Sequence, residues 1–258
     1  MARGSSLAVT WLGHAAMRVA LDGATILTDP ALRPRLAGLV RHAAQPKPST
    51  WHGVDAVLVS HAHHDHLDLP SLRLFDRDVH VVVPRGLGAF VRGAGMRNVS
   101  EVDVGDRLAI GSVAIEAVPA EHAGRRMPRG PTAPAIGYVI EGSQRVYFAG
   151  DTGLFDAMEE IGRTRLDLAL LPVWGWGPRL RGGHLDPARA AQALTLLRPT
   201  RAVPIHWGTF WPAGMRWIAR DRFRLPGREF AELAATVAPD VDVTVLAPGE
   251  SIALGRRQ

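Results

Sequence analysis

The segment SHAHHDH, residues 60–66, sets histidines at 61, 63, 64 and 66 around Asp65. Imidazole and carboxylate groups packed this densely crowd one another unless they share a positive charge. A divalent metal ion, or a pair of them, is the candidate. The same donor types recur along the chain: His122 in PAEHAG, Asp151 in FAGDTG and His206 in PIHWG. Each follows a short apolar run, as the first cluster does. Strand ends gathered at one sheet edge would bring them together.

The count suits two ions. A hydrolytic zinc site keeps about three protein ligands and an open position for water. His61, His63 and His122 make one such set. Asp65, His66 and His206 make a second, and Asp151 is left to bridge. Two cations roughly 3.5–4 Å apart would then share a hydroxide. All these donors are nitrogen or oxygen, which suits Zn2+, with Mn2+ or Fe as alternatives. The chain has no cysteine, so thiolate ligands and disulfides are excluded.

The elements that must position these groups read as an alternation of strands and helices. Apolar runs at 7–13, 16–21, 25–29, 54–60, 80–84, 113–120, 135–142, 145–151, 167–173, 201–206 and 243–248 read as strands. Helical spacing follows Asp68 and covers 154–162, 186–197 and 226–237, with Asp186 and Pro187 placed as N-cap and first helical residue. Two β-rich stretches with intervening helices predict two sheets packed face to face with helices outside. Long loops at 31–50 and 123–134 are Pro- and Arg-rich and are candidates for functional segments.

At 258 residues, with 47% hydrophobic and 21% charged, the chain is expected to form one domain over 1–258. The net charge of +5 comes almost wholly from scattered arginines, Lys47 being the sole lysine. Without a clustered run it carries no expectation of nucleic-acid binding. The N-terminal MARGSSLAVTWLGHAA has no long apolar stretch, so no signal peptide and a cytoplasmic location are expected.

HAHHDH matches the H-x-H-x-D-H motif of the metallo-β-lactamase superfamily, and His122, Asp151 and His206 fall in that superfamily's order. WLGHA (11–15), TDP (28–30), PAEH (119–122), FAGDTG (148–153), HLDPARAAQA (184–193) and PIHWGTF (204–210) resemble, more narrowly, the branch containing N-acylphosphatidylethanolamine-hydrolysing phospholipase D. The resemblance implies an α/β chain folded as a four-layer αββα sandwich with a dinuclear zinc site at one edge. It implies that Asp29 orients a ligand histidine, that His184 faces the substrate and that Asp65 takes a proton during turnover.

Other residues follow from their positions. His14, on the first strand, is expected beside the ligands rather than among them. His64 should point away from the metals, and His42, His52 and His80 are expected to be structural. His184 precedes the Asp186-capped helix, whose N-terminus favours an anion, and is assigned to substrate contact or leaving-group protonation. Trp174, Trp176, Trp207, Trp211 and Trp217 are pocket wall or core, with an interfacial anchor the lesser alternative. Arg125, with Arg126 and Arg129, could meet an anionic substrate. The expected activity is hydrolysis of a phospholipid-like or small phosphodiester. The alternatives are a lactonase or amidase acting at carbon, and a non-hydrolytic metal or redox protein. The expected partner is a small-molecule or lipid anion, and the sequence carries no reading of oligomeric state.

Overall fold

A computed structural model of the chain describes residues 7–126, 129–180 and 182–255. Residues 1–6, Met127, Pro128, Arg181 and residues 256–258 lie outside the described residues.

The first sheet has seven strands: β1 (Leu7–Gly13), β2 (Ala16–Leu21), β3 (Ala24–Thr28), β6 (Ala56–Leu58), β7 (His80–Pro84), β8 (Val99–Val102) and β17 (Ser251–Leu254). Their order is β17-β1-β2-β3-β6-β7-β8. The second contains β9 (Arg107–Ile110), β10 (Val113–Pro119), β11 (Ile136–Glu141), β12 (Arg145–Phe148), β13 (Leu168–Pro172), β14 (Arg201–Ile205) and β16 (Asp242–Val243). Its order is β16-β14-β13-β12-β11-β10-β9. A small third sheet joins β15 (Phe210–Pro212), β5 (Leu39–Arg41) and β4 (Arg35–Leu36).

Three buried clusters define the layers. Val9, Met17 and Ile26 of the first sheet meet Ile115, Tyr138, Phe148 and Leu170 of the second in the central core. Helices α1 (Leu69–Leu72) and α2 (Gly88–Gly93) cover the outer face of the first sheet, with Leu72 and Val91 against Leu27, Val57 and Val81. Helices α3 (Met158–Arg163), α4 (Pro187–Leu197) and α6 (Pro226–Val237) cover the second, with Met158, Leu194 and Phe230 against Tyr147, Ala169 and Leu171. A short α5 (Arg220–Arg224) precedes α6. The architecture is therefore the expected αββα sandwich. No helix among the described residues is long and apolar enough to cross a membrane.

Strand direction explains the clustering of donors. Strands β3, β6 and β7 run parallel, and β1 runs with them because two antiparallel pairings separate it from β3. In the second sheet β12, β13 and β14 are parallel, and β10 matches them through β11. The C-terminal ends within each sheet thus share one edge, where α/β sheets place their ligands.

Several sequence boundaries are corrected. The strand expected over 54–60 is confined to Ala56–Leu58, and that over 243–248 stops at Val243. The helix expected over 154–162 begins at Met158. The loop 31–50 holds β4, β5 and a turn of 3₁₀ helix at Pro48–Thr50. Strands β8, β9 and β17 and helices α2 and α5 were not anticipated, being short and weakly periodic.

Candidate metal centre

His61, His63, Asp65 and His66 occupy the loop between β6 and α1. His122 follows β10, Asp151 follows β12, His206 follows β14, and Asp29 follows β3. The chain makes this edge with conformations that side chains resist. His14, Asp29 and His206 all have positive φ, at 55°, 33° and 64°. Such residues mark sites where surrounding structure overrules local preference, at a cost of about 1–3 kcal/mol each. Gly150 (φ 62°) meets the same demand before Asp151, and a Cβ there would come within 2.6 Å of Ser60 Cβ.

The hydrogen-bond partners fix the histidine tautomers. His122 Nδ1 donates to Gly183 O (2.8 Å) and His206 Nδ1 to Trp174 O (2.9 Å). His66 Nδ1 donates to Asp29 Oδ2 (2.6 Å). Ser60 Oγ donates to Asp29 Oδ2 (2.6 Å), so it accepts from His61 Nδ1 (2.9 Å). His63 is held through the Arg125 backbone carbonyl.

Each ring therefore turns its other nitrogen inward. His61 Nε2 lies 2.9 Å from His63 Nδ1, and His122 Nε2 lies 3.1 Å from the same atom. His66 Nε2 and His206 Nε2 are 3.0 Å apart. Lone pairs at that separation repel unless a cation or proton lies between them. Two ligands at roughly 2.0 Å from one tetrahedral ion would stand about 3.3 Å apart, so the spacing is that of a ligand set.

Asp151 lies between the two groups. Its Oδ2 is 3.3 Å from His66 Nε2 and 3.9 Å from His122 Nε2, and its Oδ1 is 3.1 Å from His206 Nε2. Oδ1 is buried and has no hydrogen-bond partner among the described residues. An orphaned carboxylate oxygen facing an imidazole lone pair fits a divalent cation. Asp65 Oδ2 sits 3.7 Å from both His66 Nε2 and His206 Nε2, held by His14 Nε2 at 2.9 Å.

The electrostatics agree. Burial works against a charge on His66, but the carboxylates of Asp151, Asp29 and Asp65 outweigh it and push its pKa well above the ordinary range. Burial would raise Asp151 and Asp65, yet the nearby histidines hold both well below the usual carboxylate range. The pocket's field thus favours a positive charge among these donors.

Burial first, and then the charge of His206, lowers His14 to about 3, and burial lowers His122 to about 4. Both stay neutral in the folded chain while their unfolded counterparts take up protons below pH ~6.5. Stability from these groups is present above that value and lost as pH falls. Metal-stripped protein should lose about 1.4 kcal/mol per pH unit for each group between pH ~6.5 and ~4. Denaturant melts across this window check it, and a flat profile would contradict it.

The remaining candidates divide. Trp176 and His184 line the cleft above the cluster, whereas Trp174 and Arg125 are not among its lining residues. Trp174 is buried and its backbone carbonyl holds His206, so its contribution is through the main chain. The Arg125 side chain is exposed, and here too the carbonyl does the holding. His184 Nε2 is 3.2 Å from Asp151 Oδ2. The helix terminus behind it is already capped, since the Asp186 carboxylate accepts from Arg189 N at 2.8 Å. That cap satisfies one N–H of the terminus, and His184 also lines the cleft. His42 meets Phe223 edge-on and His52 lies tilted against Trp51, and His80 bonds Ser100, as structural residues would.

Arg126, a candidate contact for an anionic substrate, is buried. Its Nη1 donates to Ala62 O (2.7 Å) and Leu67 O (2.9 Å), and its Nη2 meets His64 Nδ1 at 2.8 Å. It clamps both ends of the histidine loop. Arg126→Ala should destabilise the fold by about 2–4 kcal/mol by leaving those acceptors unpaired. Arg126→Lys should not restore it, because an ammonium lacks the planar fork. Denaturant unfolding of both variants tests this, and full rescue by lysine would refute the clamp.

A four-layer sandwich with a histidine–aspartate metal cluster at the strand ends defines the class. A family model for the β-lactamase superfamily domain matches residues 24–207, and the chain belongs to the metallo-β-lactamase superfamily. It is 35% identical over 249 residues to a metal-dependent hydrolase of Methanopyrus kandleri, covering 94% of this chain and 98% of that one. It is 31% identical over 231 residues to an N-acyl-phosphatidylethanolamine-hydrolyzing phospholipase D of Caenorhabditis elegans, covering 80% of this chain and 65% of that one. The structure of Igni18, a metallo hydrolase of Ignicoccus hospitalis, superposes with a TM-score of 0.75 at 25% identity, covering 98% and 100% of the two chains.

Proposed function

We propose that the protein is a dinuclear, zinc-dependent hydrolase of phosphodiesters, acting on a phospholipid-like or smaller substrate in the cytoplasm. The observation that carries the reading is a cleft of about 1150 Å³ opening over the cluster. His63, Asp65, Asp151 and His184 line one part of it. Leu36, Leu39, Leu180, Trp176 and Ile218 line another, and Arg179 joins them. Polar metal-binding groups beside an apolar wall suit an amphiphile whose anionic group meets the cluster. The Caenorhabditis relative, named for cleaving such a lipid, supports the same reading.

In this reading His61, His63 and His122 hold one ion, Asp65, His66 and His206 the other, and Asp151 lies between. The ions, when bound, supply Lewis acidity and hydroxide near neutral pH. The chain's own groups do the rest. Asp29, His14 and the carbonyls of Trp174, Gly183 and Arg125 keep the lone pairs inward. Asp65, its Oδ2 fixed by His14, can accept a proton at the floor. His184 Nε2 faces the cleft and can protonate a leaving oxygen or hold a substrate oxygen.

The test is a parallel assay of an activated phosphodiester and a simple lactone, with metal analysis of the same protein. The expected result is phosphodiester turnover with about two zinc ions per chain. Activity on the lactone alone would move the reading to a carbon-centred hydrolase. His184→Ala should lower phosphodiester kcat about 10²-fold or more with metal content retained. Turnover within a few-fold of wild type would remove His184 from the chemistry, and loss of metal would make it a ligand instead.

A further inference from the structure

Eight large hydrophobic side chains are exposed among the described residues, and Trp176, Trp217 and Ile218 are three of them. Trp176 and Ile218 line the same cleft, and Trp217 adjoins Ile218. Trp217 is the most exposed of the eight, at 63%. The rim they form is basic. Residues 212–225 carry four arginines (216, 220, 222 and 224) against the single acid Asp221. Arg216 and Arg220 stack on Trp217, with their guanidinium carbons 4.2 and 4.9 Å from the ring centroid. No acidic partner holds either of them in a salt bridge among the described residues.

From this rim we infer a docking surface for an anionic lipid bilayer, with Trp217 and Ile218 as the inserting residues and Arg216 and Arg220 as headgroup contacts. The inference rests on the phospholipid-like substrate reading for its purpose, but its binding test does not. An indole flanked by guanidinium groups has an apolar body and a cationic collar, which suits the depth of the headgroups. A basic segment near anionic lipid gains roughly a fivefold affinity per arginine at ordinary salt. A second copy is a poorer occupant, because a two-fold contact through this patch would set arginines against arginines. Continuity of the rim with the apolar cleft wall favours lipid over nucleic acid: an acyl chain could pass from bilayer to cleft without crossing water.

The test is cosedimentation of the full chain with vesicles of phosphatidylcholine alone and of phosphatidylcholine with about 30 mol % phosphatidylglycerol. Wild type should bind the anionic vesicles, and bind the neutral ones at least about tenfold more weakly. Trp217→Ala and the double variant Arg216→Gln/Arg220→Gln should each lose about tenfold or more on the anionic vesicles. These side chains are exposed, so melting temperature and metal content should stay at wild-type values. Absence of binding to anionic vesicles, or binding unchanged in both variants, overturns the inference. So does tighter binding to a DNA duplex than to vesicles, or a wild-type dimer that Trp217→Ala disperses. Hydrolysis of a soluble phosphodiester separates the two readings. Turnover without vesicle binding sinks only the docking surface, and vesicle binding without turnover of phosphodiester or lipid sinks only the proposed activity.

Discussion

Asp151→Ala is expected to lower hydrolytic turnover by at least ~10³-fold, about 4 kcal/mol of barrier, and to lower the bound metal content. The carboxylate reaches both halves of the cluster, with Oδ2 at 3.3 Å from His66 Nε2 and 3.9 Å from His122 Nε2, and Oδ1 at 3.1 Å from His206 Nε2. Its charge helps make five converging imidazoles tolerable, and its buried Oδ1 has no hydrogen-bond partner among the described residues. Asp151→Asn separates shape from charge: it keeps the volume and one acceptor but removes the anion. It should also lose metal, while far-UV circular dichroism of both variants stays near wild type because the sheets carry their own core. Full metal occupancy in the alanine variant with turnover within tenfold of wild type would remove Asp151 from the site.

Asp29→Ala should show the next largest effect, and on two measurements. Asp29 is fully buried. Its Oδ1 accepts from Ser60 N at 2.7 Å, and its Oδ2 accepts from Ser60 Oγ and His66 Nδ1, both at 2.6 Å. Ser60 Oγ in turn holds His61 Nδ1. One carboxylate thus orients a histidine in each half of the cluster. Its removal strands several buried donors, which should destabilise the chain by about 3–5 kcal/mol. Metal affinity should fall about 10–100-fold, the usual consequence of losing a group that orients a ligand histidine. Asn at this position turns an amide N–H toward one of its present donors, so it should rescue little. Denaturant unfolding of the stripped protein and a metal titration read the two effects separately. A stability change below about 1 kcal/mol would show that the network does not carry the loop.

The parts of this site legible in the sequence are those written in side chains that do chemistry. HAHHDH after an apolar run placed four donors at a strand end, and the later donors each followed a strand whose hydrophobic pattern was strong. Asp186 and Pro187 located α4, and the spacing in 226–237 located α6, because caps and a 3.6-residue period are local signals. What was illegible is carried by the main chain or by distant pairing. The carbonyls of Trp174, Gly183 and Arg125 aim three of the histidines, and a carbonyl leaves no mark in residue type. Trp174 and Arg125 were therefore read for side chains that do not line the cleft. Arg126 read as a candidate substrate contact because its acceptors, at residues 62 and 67, lie some sixty positions away. The third sheet was missed for the same reason: β15 and β5 are three residues each and exist only through their pairing.

The pairing of β1 with β17, from Leu7 opposite Leu254 to Thr10 opposite Ser251, has a consequence for how the chain is made. During synthesis β1 can find β2 almost at once, but its other flank stays open until residues 251–254 have been made. A row of unsatisfied amide groups then waits while the residues between the two strands are made, available to any passing strand. The edge that opens with β1 closes only when β17 arrives.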